Sequence, residues 1–371
     1  MNNLYTELKA EFPNLEFNRE VLLANYTTVK IGGPAEVFCE TKTSQEFIDL
    51  VIYAIKNNIP LTILGWGANT LISDDGIRGL VIKNSGQNIK ILKDGGFSND
   101  DTTTNDSNKK PHSDQSLIQP RWHSDKDKGS FKYEFSDLDY DESESPTVVV
   151  EIDSGVSLPY AINSLIGQGI TGLQWYSRIP ATLGGAIYNN IHGGTHFISE
   201  VIESVTIIDE KGNLKMISKS ELEAGYDVSR FHNTNEIIVS AQLKLYLGDK
   251  EKAKTVVQEW AVRKAVQPQK SLGCIFQNIS NGQKENLKLP TTSVGYIVEH
   301  ILNKKNFQIG NAKVSDKHAA FIENIGQATA KDYLEIIKII IKETKIKTGI
   351  TLKPEIFFLG FKKRDLEGII T

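Results

Sequence analysis

The residues best suited to chemistry stand in two loops rich in small side chains. The first, Ser177-Arg178-Ile179-Pro180-Ala181-Thr182-Leu183-Gly184-Gly185-Ala186-Ile187-Tyr188-Asn189-Asn190-Ile191-His192-Gly193-Gly194-Thr195, sets four glycines and a proline among apolar, hydroxyl and amide residues. Without a Cβ the backbone comes close to a ligand and offers its N–H groups, an arrangement suited to a diphosphate. The second, Leu64-Gly65-Trp66-Gly67-Ala68-Asn69-Thr70-Leu71-Ile72-Ser73-Asp74, follows the apolar run Leu61–Leu64, so it is a strand-to-loop junction. Thr70 stands where a G-x-G-x-x-G fingerprint needs its third glycine, and no Gly-Lys-Ser/Thr occurs, so neither a Rossmann motif nor a P-loop is present. A tight turn is the plain reading of either loop alone; two of them in one chain favour a ligand held between them.

The elements that must position these loops are readable in part. Glu36–Glu40 forms a short strand with Val37 and Cys39 on one face. Thr43-Ser44-Gln45-Glu46 fits a capping box for a helix whose Phe47, Leu50, Val51 and Ala54 recur at helical spacing. Apolar Gly79–Ile82 adds a strand. From about Asp94 to Pro146, Asp, Ser, Asn, Lys and Thr dominate; so few apolar groups predict a disordered or loosely held surface insertion, with Trp122, Tyr133 and Phe135 as possible pins. Thr147–Ile152 reads as a buried strand, and Ser157-Leu158-Pro159 as a helix start. Strands near Val201–Asp209 and Ile237–Leu247 follow, joined through a turn at Lys211-Gly212-Asn213, then a helix near Lys252–Lys264. An irregular polar loop runs to Pro290, a helix covers Val294–Leu302, and Thr329 caps a long helix closed by Gly349. A final strand spans Glu355–Leu359. The pattern is α+β.

With 371 residues the chain holds two or three domains. Its 39% hydrophobic content and net charge of −4 argue against nucleic acid or a membrane surface as partner. Met1–Tyr5 does not begin a signal peptide, and no run of eighteen apolar residues occurs. The two cysteines, Cys39 and Cys274, are far apart and predict free thiols in a cytoplasmic protein; no metal-ligand spacing is present.

Taken in order, Thr27-Thr28 with Ile31-Gly32-Gly33-Pro34-Ala35, the Gly65–Asp74 loop, Ile179-Pro180 with Gly184-Gly185, Tyr226 with Ser229-Arg230-Phe231, Gln267-Pro268, Gly273–Asn278, Val314–Ala319 and Lys353-Pro354-Glu355 resemble the signature blocks of the UDP-N-acetylenolpyruvoylglucosamine reductase family. They span nearly the whole chain outside the insertion. The resemblance implies an α+β protein: a two-subdomain FAD-binding fold of the PCMH/VAO type over residues 1–250, divided near residue 60 and interrupted by 94–146, then a separate α+β UDP-sugar domain over 251–371. It implies FAD as cofactor and NADPH as reductant. The substrate would be UDP-N-acetylglucosamine enolpyruvate, reduced in peptidoglycan precursor synthesis by a cytoplasmic monomer.

On the same resemblance, Ile31, Gly32, Gly33, Gly65, Trp66, Gly67, Ala68, Asn69, Thr70, Pro180, Thr182, Gly184 and Gly185 hold FAD, and Tyr226, Arg230, Lys270 and Asn278 meet the substrate. The family's proton-donating serine is Cys274 here. A thiol, with a reference pKa of about 8.5, releases a proton more readily than an alcohol, so the exchange keeps the role. Glu355 matches the family's catalytic glutamate; burial can keep such a carboxyl protonated and able to donate a hydrogen bond to a developing enolate. Asp227 stands where the family has a catalytic arginine, and Arg178 is the expected replacement, with Arg230 second. Val266 stands where the family has a diphosphate-binding lysine, leaving Lys264 or Lys270 to take its part. Ala181 and Ile191-His192-Gly193 are further departures. A flavin oxidase of the same superfamily and a non-catalytic binding paralogue are the competing readings.

Overall fold

The computed structural model describes residues 3–92, 138–265 and 267–370. Trp122, Tyr133, Phe135 and Val266 lie outside the described residues. The first unit comprises α1 (Asn3–Glu11), β1 (Phe17–Leu22), β2 (Pro34–Thr41), α2 (Ser44–Lys56), β3 (Leu61–Leu64), β4 (Thr70–Ile72) and β5 (Ile77–Asn84). Its sheet has the order β1-β2-β5-β3, with β5 parallel to both β2 and β3. The Thr43 capping box forms as expected, which satisfies the first orphan amides of α2. Phe47, Leu50, Val51 and Ala54 then bury against Val37, Cys39, Leu80 and Ile82.

The second unit begins at β6 (Ile89–Leu92), a strand not anticipated, and continues with β7 (Thr147–Asp153), α3 (Leu158–Gly167), β8 (Ile170–Thr171) and α4 (Leu183–Tyr188). The hairpin β9 (His192–Gly193) and β10 (His196–Phe197) follows, then β11 (Ile202–Ile208), β12 (Leu214–Ser218), β13 (Ile237–Leu247) and α5 (Lys250–Lys264). The antiparallel sheet runs β12-β11-β13-β7-β6. Because β6 pairs antiparallel with β7, Ile89 opposite Ile152, the insertion is the connection of a hairpin between neighbouring strands.

The third unit holds β14 (Ser271–Cys274), α6 (Asn281–Asn286), α7 (Val294–Tyr296), β15 (Gln308–Ile309), β16 (Ala312–Val314), β17 (Phe321–Asn324), α8 (Ala330–Thr348) and β18 (Phe357–Leu359). Ile336, Ile337 and Ile340 of α8 bury in one core with Val314 and Ile322 of the β14-β17-β16-β15 sheet. Gly349 closes α8 in the left-handed conformation, φ 75°. β18 leaves this unit and pairs in parallel with β4, tying the chain end to the first unit.

Two expected boundaries move. A division at residue 60 would cut β3 and β5 from the sheet they complete, and the first unit extends to Asn84. A division at 250 would strip the second unit of α5, whose Ala253, Val256 and Trp260 belong to its core. The stretch expected to be an irregular loop before Pro290 contains α6, opened by a Ser280–Gln283 capping box.

The end of the insertion, residues 138–146, is packed; the rest of the stretch expected to be mostly disordered or loosely held lies outside the described residues. Glu142 is buried and accepts hydrogen bonds from Thr171 Oγ1 and, at 2.7 Å, from Gln174 Nε2. Tyr140 lies on Trp175 with ring centroids 5.1 Å apart. Asp139 meets His196 Nε2 at 2.9 Å while Glu200 meets Nδ1 at 3.3 Å. Burial opposes the charge on His196, but its hydrogen bonds to Glu200 and Asp139 and their charges prevail and raise its pKa above the ordinary 6.5. A raised folded pKa gives stabilisation that is complete below about pH 6.5 and is lost as pH rises through the folded value. Chymotrypsin cleavage at Tyr140, normalised to the denatured chain, is therefore expected to accelerate as pH rises, and to be fast throughout in His196→Ala; a pH-independent wild-type rate would contradict this.

Candidate functional site

The turn after β7 holds the 177–185 loop. Leu183 and Gly184 donate to the carbonyls of Val156 and Ser154, both at 2.8 Å, and Thr182 caps α4 by accepting from the Gly185 amide at 3.2 Å. A Cβ on Gly184 would sit 2.9 Å from Ser154 Cβ, so the seat admits only glycine without movement. These amides are turned inward. The expectation that this loop offers a row of N–H groups to a ligand is therefore not met for Leu183–Gly185; what it contributes is close approach, with Pro180 and Gly185 exposed.

The 65–70 loop faces it directly. A Cβ on Gly65 would come within 3.0 Å of Thr182 Oγ1. Here the protein holds the carbonyls: Gly65 O accepts from Lys83 Nζ at 3.2 Å, Gly67 O from the Thr28 amide at 3.3 Å, and Asn69 O from the Phe357 amide at 2.9 Å. In a trans peptide the next residue's N–H points opposite the carbonyl, so the amides of Trp66, Ala68 and Thr70 face away from these anchors. Gly67 makes this possible at φ 56°, where a side chain would strike Tyr26 O at 2.6 Å. Amides turned away from their carbonyls' anchors beside glycine fit an anionic diphosphate, and Trp66, 39% exposed, offers an aromatic face at the rim.

Ile31, Gly32 and Gly33 lie beneath that loop. The Ile31 amide donates to Thr27 Oγ1 at 3.2 Å and the Gly33 amide to Ser73 O at 2.8 Å. Ile31 is 2% exposed within the core of the third unit. A Cβ on Gly33 would overlap Asp74 O at 2.1 Å, so these residues brace the ligand loop from behind.

The third unit sets the segment after Cys274 against the segment of Glu355. Gly273, φ 80°, makes an irregularity between β14 and β17 that sets Cys274 opposite Phe321. The next residue, Ile275, accepts from the Glu355 amide at 2.8 Å, and Phe276 bridges Pro354. Asn69 Nδ2 donates to Glu355 O at 3.1 Å, so one short path links the backbone at residues 275 and 355 to the 65–70 loop. Cys39 is a different kind of thiol. Burial chiefly, with Glu46, Glu16 and Glu40 nearby, pushes its pKa up to about 12, which leaves it unreactive.

The remaining expected residues divide. Tyr226 stands at the tip of a tight Gly225–Val228 turn, which Asn190 Nδ2 ties to the end of α4 through Gly225 O at 2.7 Å. Arg178, exposed at φ 64°, follows Ser177, whose carbonyl accepts from Lys264 at 3.2 Å. Lys270 is exposed at the start of β14 and Asn278 is half-buried. Arg230 is engaged within the protein: its Nε and Nη2 grip Glu236 at 2.9 and 3.0 Å and its Nη1 donates to Glu221 O at 3.0 Å. A guanidinium held on three sides clamps the fold, which leaves it less free to serve as a replacement cation. Lys83 was missed; burial lowers its pKa, partly offset by Glu40, and its ammonium holds the Gly65 carbonyl. A lysine ending the apolar run Leu80–Ile82 was the available signal.

Two α+β subdomains that set small-residue loops against each other, followed by a unit whose 275 and 355 segments connect to the 65–70 loop, fit an FAD-binding oxidoreductase with an appended substrate domain. Residues 135–218 match the FAD binding domain model, and 266–359 match the UDP-N-acetylenolpyruvoylglucosamine reductase C-terminal domain model. UDP-N-acetylenolpyruvoylglucosamine reductase of Listeria monocytogenes serotype 4a is 30% identical over 98% of this chain and 100% of its own. That of Caldanaerobacter subterraneus subsp. tengcongensis is 30% identical over 92% of each. The crystal structure of the enzyme from Thermus caldophilus, 24% identical, superposes with a TM-score of 0.64, covering 93% of this chain and 99% of that one. The chain belongs to the UDP-N-acetylenolpyruvoylglucosamine reductase family.

Proposed function

We propose that this chain reduces UDP-N-acetylglucosamine enolpyruvate to UDP-N-acetylmuramate in peptidoglycan precursor synthesis, using FAD and NADPH. The observation that carries the reading is the short path from the 65–70 loop through Asn69 and Glu355 to Ile275, beside Cys274. It joins the cofactor side and the substrate side of one site. In this reading the amides of Trp66, Ala68 and Thr70 hold the FAD diphosphate, with Gly65, Gly67, Asn69, Pro180, Thr182, Gly184 and Gly185 forming the surrounding walls. Once bound, the flavin supplies hydride, drawn from NADPH, to the enolpyruvyl double bond. Cys274 delivers the proton to the carbon that has become electron-rich, and Glu355 donates a hydrogen bond to the enolate-like oxygen. Arg178 brings positive charge from the exposed turn, and Tyr226, Lys270 and Asn278 meet the UDP-sugar.

The proposed division is a FAD-binding part ending after α5 at Lys264 and a substrate domain from about residue 266, the first part being split near Asn84. No helix among the described residues is long and apolar enough to cross a membrane, and both cysteines are free. We take the enzyme to be a cytoplasmic monomer. Incubated with NADPH and the enolpyruvyl substrate, the protein is expected to consume both in equal amounts and yield a lactyl product two hydrogens heavier. NADPH oxidation that needs oxygen and leaves the sugar unchanged would overturn the reading.

A further inference from the structure

The His192 and Asp227 side chains form a pair that the expected machinery does not use. His192 Nε2 lies 3.8 Å from Asp227 Oδ1, with the two side chains only 10% and 11% exposed. They come from separate elements, β9 and the Gly225–Val228 turn, and the placement is held from several sides. Asn190 Nδ2 donates to Gly225 O at 2.7 Å, Ser229 Oγ to Tyr188 O at 2.6 Å, and the Ser199 amide to Asn190 Oδ1 at 3.1 Å. Asp227 itself takes the left-handed conformation, φ 51°, at the turn tip. Aspartate tolerates that region better than most residues, and the backbone there sets the carboxylate toward His192.

Resting on the reductase reading, we propose that His192, carried as an imidazolium against Asp227, is the cation that receives the substrate's enolpyruvyl carboxylate, and that Asp227 is its positioning residue. The substrate carries a carboxylate on the carbon next to the one that accepts hydride, and this carboxylate gathers negative charge as the double bond is reduced, so the site needs a cation there. Three other cations are engaged by the protein itself, Arg230 by Glu236, Lys83 by Gly65 O and Lys264 by Ser177 O, while Arg178 stands on an exposed turn and His192 is enclosed with its carboxylate. His192 follows α4, the helix capped by the Thr182 that faces Gly65. Its ring lies 5.3 Å from that of Tyr226 at 30°, and 5.5 Å from Phe197, so it is layered beside the residue expected to meet the substrate. Asp227 and Tyr226 are the titratable groups that face it from the turn; the opposite strand of its own hairpin presents Phe197. A carboxylate in this position favours the charged imidazole and fixes its orientation.

The alternative is a buried ion pair that merely joins two turns. Calorimetry on the flavin-loaded protein separates the two. Substrate affinity is expected to fall as pH rises through the imidazole titration, with proton uptake on binding seen as a buffer-dependent heat. His192→Gln should weaken binding about 10- to 100-fold below that limb and abolish the limb, while Asp227→Asn should move it to lower pH. Unaltered flavin spectrum and NADPH reduction in both variants report intact folding, and the wild-type proton uptake needs no variant. Binding by wild type without proton uptake, or a pH limb that survives in His192→Gln, overturns the assignment of His192 alone. No binding of the substrate by wild type would instead overturn the reductase reading.

Discussion

Replacing Cys274 with alanine is expected to slow reoxidation of the reduced flavin by the enolpyruvyl substrate about 10²- to 10⁴-fold, the usual cost of losing a positioned general acid. Reduction by NADPH should be unchanged, because the proton is needed only after hydride has reached the substrate. Cys274→Ser should lose less, since an alcohol set by the same Gly273 irregularity still presents a proton, although it is a weaker acid. Cys39→Ala serves as the control: that thiol is 0% exposed in the core beneath α2, and its removal should touch stability and not the half-reactions. Stopped-flow absorbance of the flavin separates the two steps. A loss below tenfold in Cys274→Ala would end the assignment of this residue as the acid.

Glu355→Ala is expected to cost about 10²- to 10³-fold in the same step, as deletion of one hydrogen-bond donor to a developing oxyanion does elsewhere. The backbone of residue 355 is held independently by Ile275 O and Asn69 Nδ2, so truncating the side chain leaves the segment in place. Glu355→Gln is the informative variant. An amide keeps a donor and loses the ionisable proton, so it should recover most of the rate. A glutamine variant as slow as alanine would show that the carboxyl works by transferring a proton or as an anion, and the hydrogen-bond role would be withdrawn.

What was legible in the sequence was chiefly local. Thr43, Ser157 and Thr329 cap the helices that follow because a cap needs only its own next three residues. The same rule would have found α6 from Ser280 and Gln283, which reads as polar loop only if composition is weighed before spacing. Features that depend on distant partners were hidden. β6 is short, and 54 residues, 93–146, separate its last residue Leu92 from the start of its partner β7 at Thr147, so nothing local marks their pairing. α5 follows a long strand like the start of a new domain, yet its Trp260 face belongs to the old one. For the site, residue types pointed to two loops that the structure sets face to face at Gly65 and Thr182, and the resemblance pointed to Cys274 and Glu355, whose roles are proposals. They did not reveal which amides turn inward, because that is decided by carbonyls elsewhere, Ser154 O and Val156 O. Arg230 looked available for the same reason: Glu236 is six residues away and becomes its partner only through the turn between them.

The most direct test of the central claim is an anaerobic visible spectrum of the FAD-loaded protein, taken after one equivalent of NADPH and again after UDP-N-acetylglucosamine enolpyruvate. The account predicts that the flavin band bleaches with NADPH and returns with the substrate, with UDP-N-acetylmuramate formed in proportion. A band that bleaches and stays bleached until oxygen is admitted would contradict it, leaving the flavin site in place without the reduction proposed for it.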